Sequence, residues 1–380
     1  MKIRAIEAIL VDIPTTRVHR LAFGAVRVQN YVVVRIHDDQ GGSGIGEAST
    51  IGGPAWAEES TETIKTVIDT YLAPRLAGRD PRALRRLSAE MDQWVKGNRF
   101  AKAALAMALL DLVARAQGLP AVALLGGAVH QRLELAWTLA SGDTGRDIDE
   151  GEALLGARRH RIFKLKIGHG EPDADVAHAA RIARHFGGRA RVQVDVNQAW
   201  DELTAVRGIA ALQDAGVALV EQPVARHRLD AMARLAARFD VPIMADESVA
   251  TAADALEIVR RDAADVLALK LTKAGGPWQT LHTAAVAEAA GLPCYGGCML
   301  ETGIGTAAYL HTFAAIEGIR QGCELFGPLL LQDDLLTEPL RYGDFGIELH
   351  PGPGWGVEID PDKLAHHRRD RDTRLLSLPS

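Results

Sequence analysis

Two periodicities divide the chain. The first hundred or so residues open with alternating runs, IRAIEAILVDI and YVVVRIHDD, in which every second position is apolar, as in strands with one face buried. A Gly-rich stretch, GGSGIGE, follows the second run and should close a hairpin. Apolar residues then recur at helical spacing over 59 to about 76, 81 to about 95 and 100 to about 117, ending at Gly118-Leu119-Pro120. Strands followed by helices predict an α+β module over 1–125.

From Leu133 the pattern changes to a regular alternation. Short apolar runs occur in LELAWTLASG, RIFKLKIG, RVQVDVNQ, ALVEQP, PIMADES, DVLALKLT, LPCYGGCM and GCELFGP, with helical stretches between them such as 203–215, 230–239 and 280–290. Eight strands alternating with helices predict a parallel (β/α)₈-type TIM barrel over 126–335, the α/β class. The remainder, 336–380, is rich in Pro and Gly where it leaves the barrel and should pack back on the N-terminal domain, with the AHHRRDRDTR stretch as a solvated tail.

At 380 residues a barrel of roughly 250 leaves room for a second domain. A composition of 47% hydrophobic and 24% charged residues fits a globular enzyme, and no uncharged apolar run approaches a membrane span. The N-terminus reads as a strand rather than a signal peptide. A formal charge of -6, without a basic stripe, argues against a nucleic-acid partner. Cys294, Cys298 and Cys323 form no disulfide pattern and suit a reducing compartment, so a cytoplasmic location is expected.

The strand-like runs end in charge. Lys164 and Lys166, Asp195, Glu221, Asp246 and Lys270 close successive runs, and the steps from Lys166 to Asp195, Glu221, Asp246 and Lys270 are 29, 26, 25 and 24 residues. Each step is about one βα unit, which would bring all five to one barrel mouth. A lone carboxylate at a strand end is often a helix cap, and a KLK strand is often a solvent-facing edge. Five matches at one period point instead to a site.

Lys164 and Lys166 share a strand face, and their mutual repulsion with partial burial should depress a lysine pKa toward values useful for proton transfer. Asp195, Glu221 and Asp246 would repel one another unless a cation held them, and all-oxygen ligation favours Mg²⁺ or Mn²⁺. A metal flanked by lysines suits reactions at a carbon beside a carboxylate.

At these residues the chain resembles the enolase superfamily, whose lysine or histidine base with Mg²⁺ is a known pattern of pKa tuning. Within it, GEASTIGG, AWTLASGD, RRHRIFKLKIG, ALKLTKAGG, YGGCMLE and ELFGPLLL are most similar to the muconate lactonizing (muconate cycloisomerase) subgroup. The resemblance extends over almost the whole chain and implies a modified barrel with an N-terminal capping domain. It implies Lys166 as the acid/base, Lys270 on the opposite side of the substrate, and Glu324 as a further catalytic group. Asp195, Glu221 and Asp246 would bind the metal, with Asn197 and Glu247 behind them. The substrate pocket would include Ile51 and Glu301 and, at positions that depart from the subgroup, Cys298 and Trp56, the latter as a pocket wall or as packing in the domain interface. The implied reaction closes cis,cis-muconate, a small dicarboxylate, to muconolactone in catechol catabolism through an enediolate protonated by Lys166. A large homo-oligomer, an octamer, is also implied.

Chloromuconate cycloisomerase, N-acylamino acid racemase and o-succinylbenzoate synthase share these charged residues and stay open as alternatives. Dipeptide epimerases resemble one another in an Asp-x-Asp at the eighth strand, where this chain has Cys323-Glu324-Leu325. A Schiff-base barrel would not need three carboxylates, and a vestigial site would lack some of them.

Overall fold

The alternating N-terminal runs pair as an antiparallel meander, β1 (Ile3–Leu21), β2 (Gly24–Asp38) and β3 (Ser43–Thr50). The computed structural model describes residues 1–21 and 24–369. Helix α1 (Thr61–Val67), extended by a π-turn, packs on this sheet, while α2 (Leu84–Trp94) packs on α3 (Arg99–Ala116), which lies against β2 and β3. Helix α3 is apolar on most of its surface, with Lys102 and Asp111 as its buried charges, and is buried from Phe100 to Ala114, as expected of a helix enclosed between layers. Its close approach to β3 needs glycine. A Cβ on Gly46 would lie 2.1 Å from the Ala104 carbonyl oxygen, and one on Gly44 would lie 2.3 Å from that of Ala108. These two positions fix the parity of β3. Its small residues face α3, while Ile45, Glu47, Ser49 and, beyond the strand, Ile51 alternate to the other face.

The barrel strands are β4 (Ala136–Leu139), β5 (Ile162–Lys166), β6 (Arg191–Asp195), β7 (Leu219–Glu221), β8 (Ile243–Ala245), β9 (Val266–Leu269), β10 (Cys294–Gly296) and β11 (Ile319–Cys323). They lie in sequence order, each parallel to the next, and a parallel bridge between Leu135 and Cys323 joins first to last. Between them run α4 (Thr144–Gly156), α5 (Pro172–Phe186), α6 (Glu202–Asp214), α7 (Leu229–Arg238), α8 (Ala252–Arg260), α9 (Pro277–Ala289) and α10 (Gly303–Ala314). After β11 the chain makes a 3₁₀ turn, Gly327–Leu330, where an eighth helix would start. The barrel is thus modified at its last unit.

Two apolar clusters hold the barrel. A continuous core fills the space between its wall and the helices and extends into the N-terminal domain. Inside the barrel, Ala136, Ile162, Leu219, Met244, Val266, Ala268 and Tyr295 form a separate plug. Side chains two residues further along strands share the plug's face. From Ile162, Leu219, Met244 and Ala268 that step reaches Lys164, Glu221, Asp246 and Lys270, so the interior changes from apolar to charged within one layer.

The C-terminal segment returns across the molecule. Gly346–Glu348 pairs with Arg132–Glu134 at the start of the barrel. Trp355, fully buried, donates its indole N–H to the Ile45 carbonyl at 3.0 Å and its amide to Asp111 at 2.8 Å. Within the stretch expected as a solvated tail, Ala365, His366 and Arg368 are exposed, while Arg369 is half-buried. Pro361–His367 is helical, and Arg369 pairs with Asp12 and Glu62, because β1 and α1 present carboxylates there. The rest of that stretch lies outside the described residues.

Candidate active site

Parallel register sets the site. Lys166 on β5 is opposite Asp195 on β6, which is opposite Glu221 on β7, and Glu221 is opposite Met244, two residues before Asp246. Three neighbouring strands thus end at one level, with Asp246 just above. Irregular backbone follows. Asn197, Gln198, Gln222 and Leu300, just beyond β6, β7 and β10, all have positive φ, between 37° and 69°. Such non-glycine residues cluster where surrounding structure over-determines the backbone, commonly at functional sites. Gln222 shows how: its amide oxygen accepts from the Asp246 and Ser248 amides at 3.0 and 3.2 Å, tying β7 to the Asp246 turn.

Each carboxylate is met by lysine. Lys164, buried, touches Glu221 and Glu324 and lies 3.7 Å from Asp195. Lys166 pairs with Asp195. Lys270 and Lys273 each hold Asp246 at 2.6 Å, and Lys273 also reaches the Asp246 carbonyl at 2.7 Å. These partners reverse the expected lysine behaviour. Burial works against the charge on Lys166 and Lys164 opposes it, but Asp195 and its neighbouring carboxylates outweigh both and raise the pKa above the ordinary value. Lys164 and Lys270 are raised for the same reason. Burial likewise opposes ionisation of Asp246 and Glu324. Lys270 and Lys273 hold the first well below the usual carboxylate range, and Lys164, Lys166 and Lys270 hold the second down to about 2.

Glu221 behaves differently. Burial and the adjacent Asp195 push its pKa well above the usual value despite Lys164. Its Oε2 is ion-paired with Lys164, whereas the buried Asn197 Oδ1 and Glu247 Oε2 have no hydrogen-bond partner among the described residues. Glu247, linked to Asn197 at 3.1 Å, is raised to about 7 by burial and then by Asp246 and Asp195. Asn197 Oδ1 and Glu247 Oε2, buried beside mutually repelling carboxylates, are acceptors that a hard divalent cation would suit. With lysines drawn to the carboxylates, no three acidic, His or Cys side chains among the described residues converge on one point. The donor set therefore fits a cation in composition and charge, and binding would displace lysines.

A small cavity opens above this ring. Lys166, Lys270, Glu324 and Asn197 line its polar side. Ile51, Trp56, Thr138, Cys298, Leu300 and Phe326 line the rest. The Trp56 ring lies 4.3 Å from Lys270 Nζ, within cation–π range. Asp195, Glu221, Asp246 and Lys164 lie beneath the cavity.

Glu301 requires correction. It does not line the cavity but accepts the Met299 amide at 2.8 Å and is buried. The left-handed Leu300 before it turns the chain, and the Glu301 carboxylate folds back onto that turn. Conversely, Thr138, Leu300, Phe326 and the buried Lys273 were not singled out, although all four lie in the similar segments AWTLASGD, YGGCMLE, ELFGPLLL and ALKLTKAGG.

Comparison with known proteins adds a second line of observation. Residues 5–126 match the mandelate racemase / muconate lactonizing enzyme N-terminal domain model, and residues 147–363 match the enolase C-terminal domain-like model. A chloromuconate cycloisomerase of Pseudomonas putida is 50% identical over 97% of this chain and 100% of its own. Muconate cycloisomerase 1 of Pseudomonas putida is 46% identical, covering 97% and 98%. The crystal structure of a muconate lactonizing enzyme from Pseudomonas fluorescens, complexed with muconolactone, superposes with a TM-score of 0.95 at 48% identity, covering 97% and 99%.

Proposed function

The chain belongs to the mandelate racemase / muconate lactonizing enzyme family, and on that premise we propose that it is an isomerase closing cis,cis-muconate to muconolactone. Relatives named chloromuconate cycloisomerase and muconate cycloisomerase match nearly end to end, which favours cycloisomerization over racemase or synthase chemistry. The observation that carries the mechanism is the meeting of Lys166, Lys270 and Glu324 in one cavity above Asp195, Glu221 and Asp246.

In the proposed reaction one carboxylate oxygen of the substrate adds to the double bond conjugated with the other carboxylate. The C–O bond forms as the π electrons move into the second carboxylate, giving an enediolate. Lys166 then delivers a proton to the carbon beside it, completing the lactone. Asp195, Glu221 and Asp246 would hold a divalent cation, Mn²⁺ or Mg²⁺, which supplies charge stabilisation for the enediolate. Asn197 and Glu247 sit behind this set. Lys270 faces the substrate from the other side as a fixed positive charge, and Glu324 balances Lys164 and Lys166. The apolar wall of Ile51, Trp56 and Phe326 excludes water. Lys164 lies too deep to meet the substrate and acts through Glu221 and Glu324.

A cytoplasmic location and homo-oligomeric assembly belong to the same proposal, the former supported by three buried free cysteines. No described helix is long and apolar enough to cross a membrane. The test is loss of muconate ultraviolet absorbance with purified protein and Mn²⁺, with 2-chloromuconate in parallel. Loss that disappears in Lys166→Ala and in chelator is expected; none with a folded, metal-loaded protein would refute the assignment.

A further inference from the structure

We propose that Gln29, Tyr31 and Glu47 of the N-terminal sheet are positioning residues for the lactonization, bracing the left-handed turn that forms the seventh-strand wall of the cavity. The inference rests on the cycloisomerase reading for its kinetic consequence, though not for its structural one.

Register and parity bring the three together. Tyr31 is opposite Ser49 and Val33 is opposite Glu47, so Gln29, Tyr31 and Glu47 share the face of the sheet turned away from α3. All three are buried, with Gln29 and Tyr31 fully enclosed. They reach successive groups of one segment. Gln29 donates to the Met299 carbonyl at 3.0 Å, and the Tyr31 hydroxyl donates to the Leu300 carbonyl at 2.9 Å. Glu47 accepts the Thr302 amide at 2.9 Å and the Gly305 amide at 3.3 Å, and the Thr302 hydroxyl also donates to it.

Leu300 is the residue that needs this hold. Its φ of 59° is sterically unfavourable for a branched, bulky L-residue. Such a conformation persists where neighbours over-determine it. The carbonyls flanking it are those taken by Gln29 and Tyr31. The consequence reaches the cavity, because Cys298 and Leu300 both line it. It also reaches Lys270: a Cβ on Gly297 would lie 2.7 Å from Lys270 Cε, so the segment's backbone is the surface along which that lysine lies. Relaxation at Leu300 would move the wall and the Lys270 support together.

The experiment is a double-mutant cycle in the full chain loaded with Mn²⁺: Tyr31→Phe and Leu300→Gly, singly and together, with kcat and KM measured for cis,cis-muconate. Glycine adopts the left-handed region freely, so in its background the hydroxyl has little left to hold. Tyr31→Phe alone is expected to lower kcat/KM roughly ten-fold. In the Leu300→Gly background the same change should cost less than about two-fold. An equal loss in both backgrounds, as a hydroxyl contributing only general stability would give, overturns the proposal, as does no loss at all. Amide hydrogen exchange over residues 299–305 gives an activity-independent reading. Faster exchange confined to this segment in Tyr31→Phe, and absent when Tyr31→Phe is added to Leu300→Gly, supports the brace; unchanged protection overturns it even should muconate prove the wrong substrate.

Discussion

Replacing Glu324 with glutamine keeps the side chain's shape and deletes its charge, which isolates what that carboxylate does for the lysines. Glu324 is 5% exposed, accepts the Tyr295 hydroxyl at 3.1 Å and is paired with Lys164. Burial alone would raise its pKa, yet Lys164, Lys166 and Lys270 bring it from 4.5 to about 2. That difference corresponds to about 3 kcal/mol favouring the ionised folded state. Because the folded pKa is depressed, the unfolded chain takes up a proton first on acidification. The stabilisation is therefore complete above about pH 4.5 and is lost as pH falls toward about 2. At neutral pH Glu324→Gln should forfeit all of it. With about 2.1 cal/mol/K of unfolding entropy per residue, the melting temperature of this chain drops by about 4 °C. The melt is to be followed in chelator, where the lysine–carboxylate pairs are intact, and the deficit should shrink below about pH 4.5. Lys166 and Lys270 also lose a carboxylate that holds their protons, so the basic limb of the pH–kcat profile with Mn²⁺ should move to lower pH. A variant melting within about 1 °C of the parent, with the same pH profile, would refute the charge-balance argument.

Metal binding should stabilise the fold by linkage. Mn²⁺ at a hundredfold excess over its Kd contributes about 2.7 kcal/mol, about 3 °C in melting temperature. Asp246→Asn should abolish that rise while Glu152→Gln, on the outer helix α4, leaves it; a rise in Asp246→Asn equal to the parent's would exclude this carboxylate as a ligand. Gly46→Ala places a Cβ against the Ala104 carbonyl of α3 and should destabilise by about 1–3 kcal/mol in urea titration. Because β3 leads into Ile51, KM should rise as well, and a change below about 0.5 kcal/mol would mean that the two elements yield.

The barrel was legible because its repeat is set by local geometry: one strand, one helix and two turns consume about 25 residues wherever they occur, and strand-end charges mark the period. Helix limits such as Glu202–Asp214 follow from apolar spacing in the same way. What the sequence concealed depends on long-range register. The sign of the lysine shifts is one case, because Lys166 meets Asp195 only when β5 and β6 align. Glu301 is another, since its carboxylate folds back onto a turn at the left-handed Leu300, which is held from another domain. Thr138 and Phe326 belong to segments that resemblance singled out, but their arrival at one cavity requires the barrel to close. Arg369 lies against β1 and α1 because Asp12 and Glu62 are there, a pairing across most of the chain.

Lys166 and Lys270 line the same cavity but are held differently, and that difference assigns their parts in the proposed reaction. Lys270 is bound to Asp246 at 2.6 Å, shares that carboxylate with Lys273 and lies over the Trp56 ring. Asp246 and the Trp56 face favour the ammonium form, while burial and the like charge of Lys273 oppose it. Among the described residues Lys166 is ion-paired with Asp195 alone, and Lys164 beside it on the strand pushes its pKa down. A cation that engages Asp195 would weaken what holds the Lys166 proton and leave burial and Lys164 to release it. The same event leaves Lys270 with the Trp56 face. On the proposed reading, Lys166 would thus act as the proton donor and Lys270 as the fixed charge once a cation held the carboxylates, although both stand at barrel strand ends and both are paired to a carboxylate here. Trp56→Ala should accordingly weaken the Lys270 side, lowering kcat for lactonization while leaving Mn²⁺ affinity unchanged; equal loss of both would mean that the indole supports the carboxylate ring rather than the lysine.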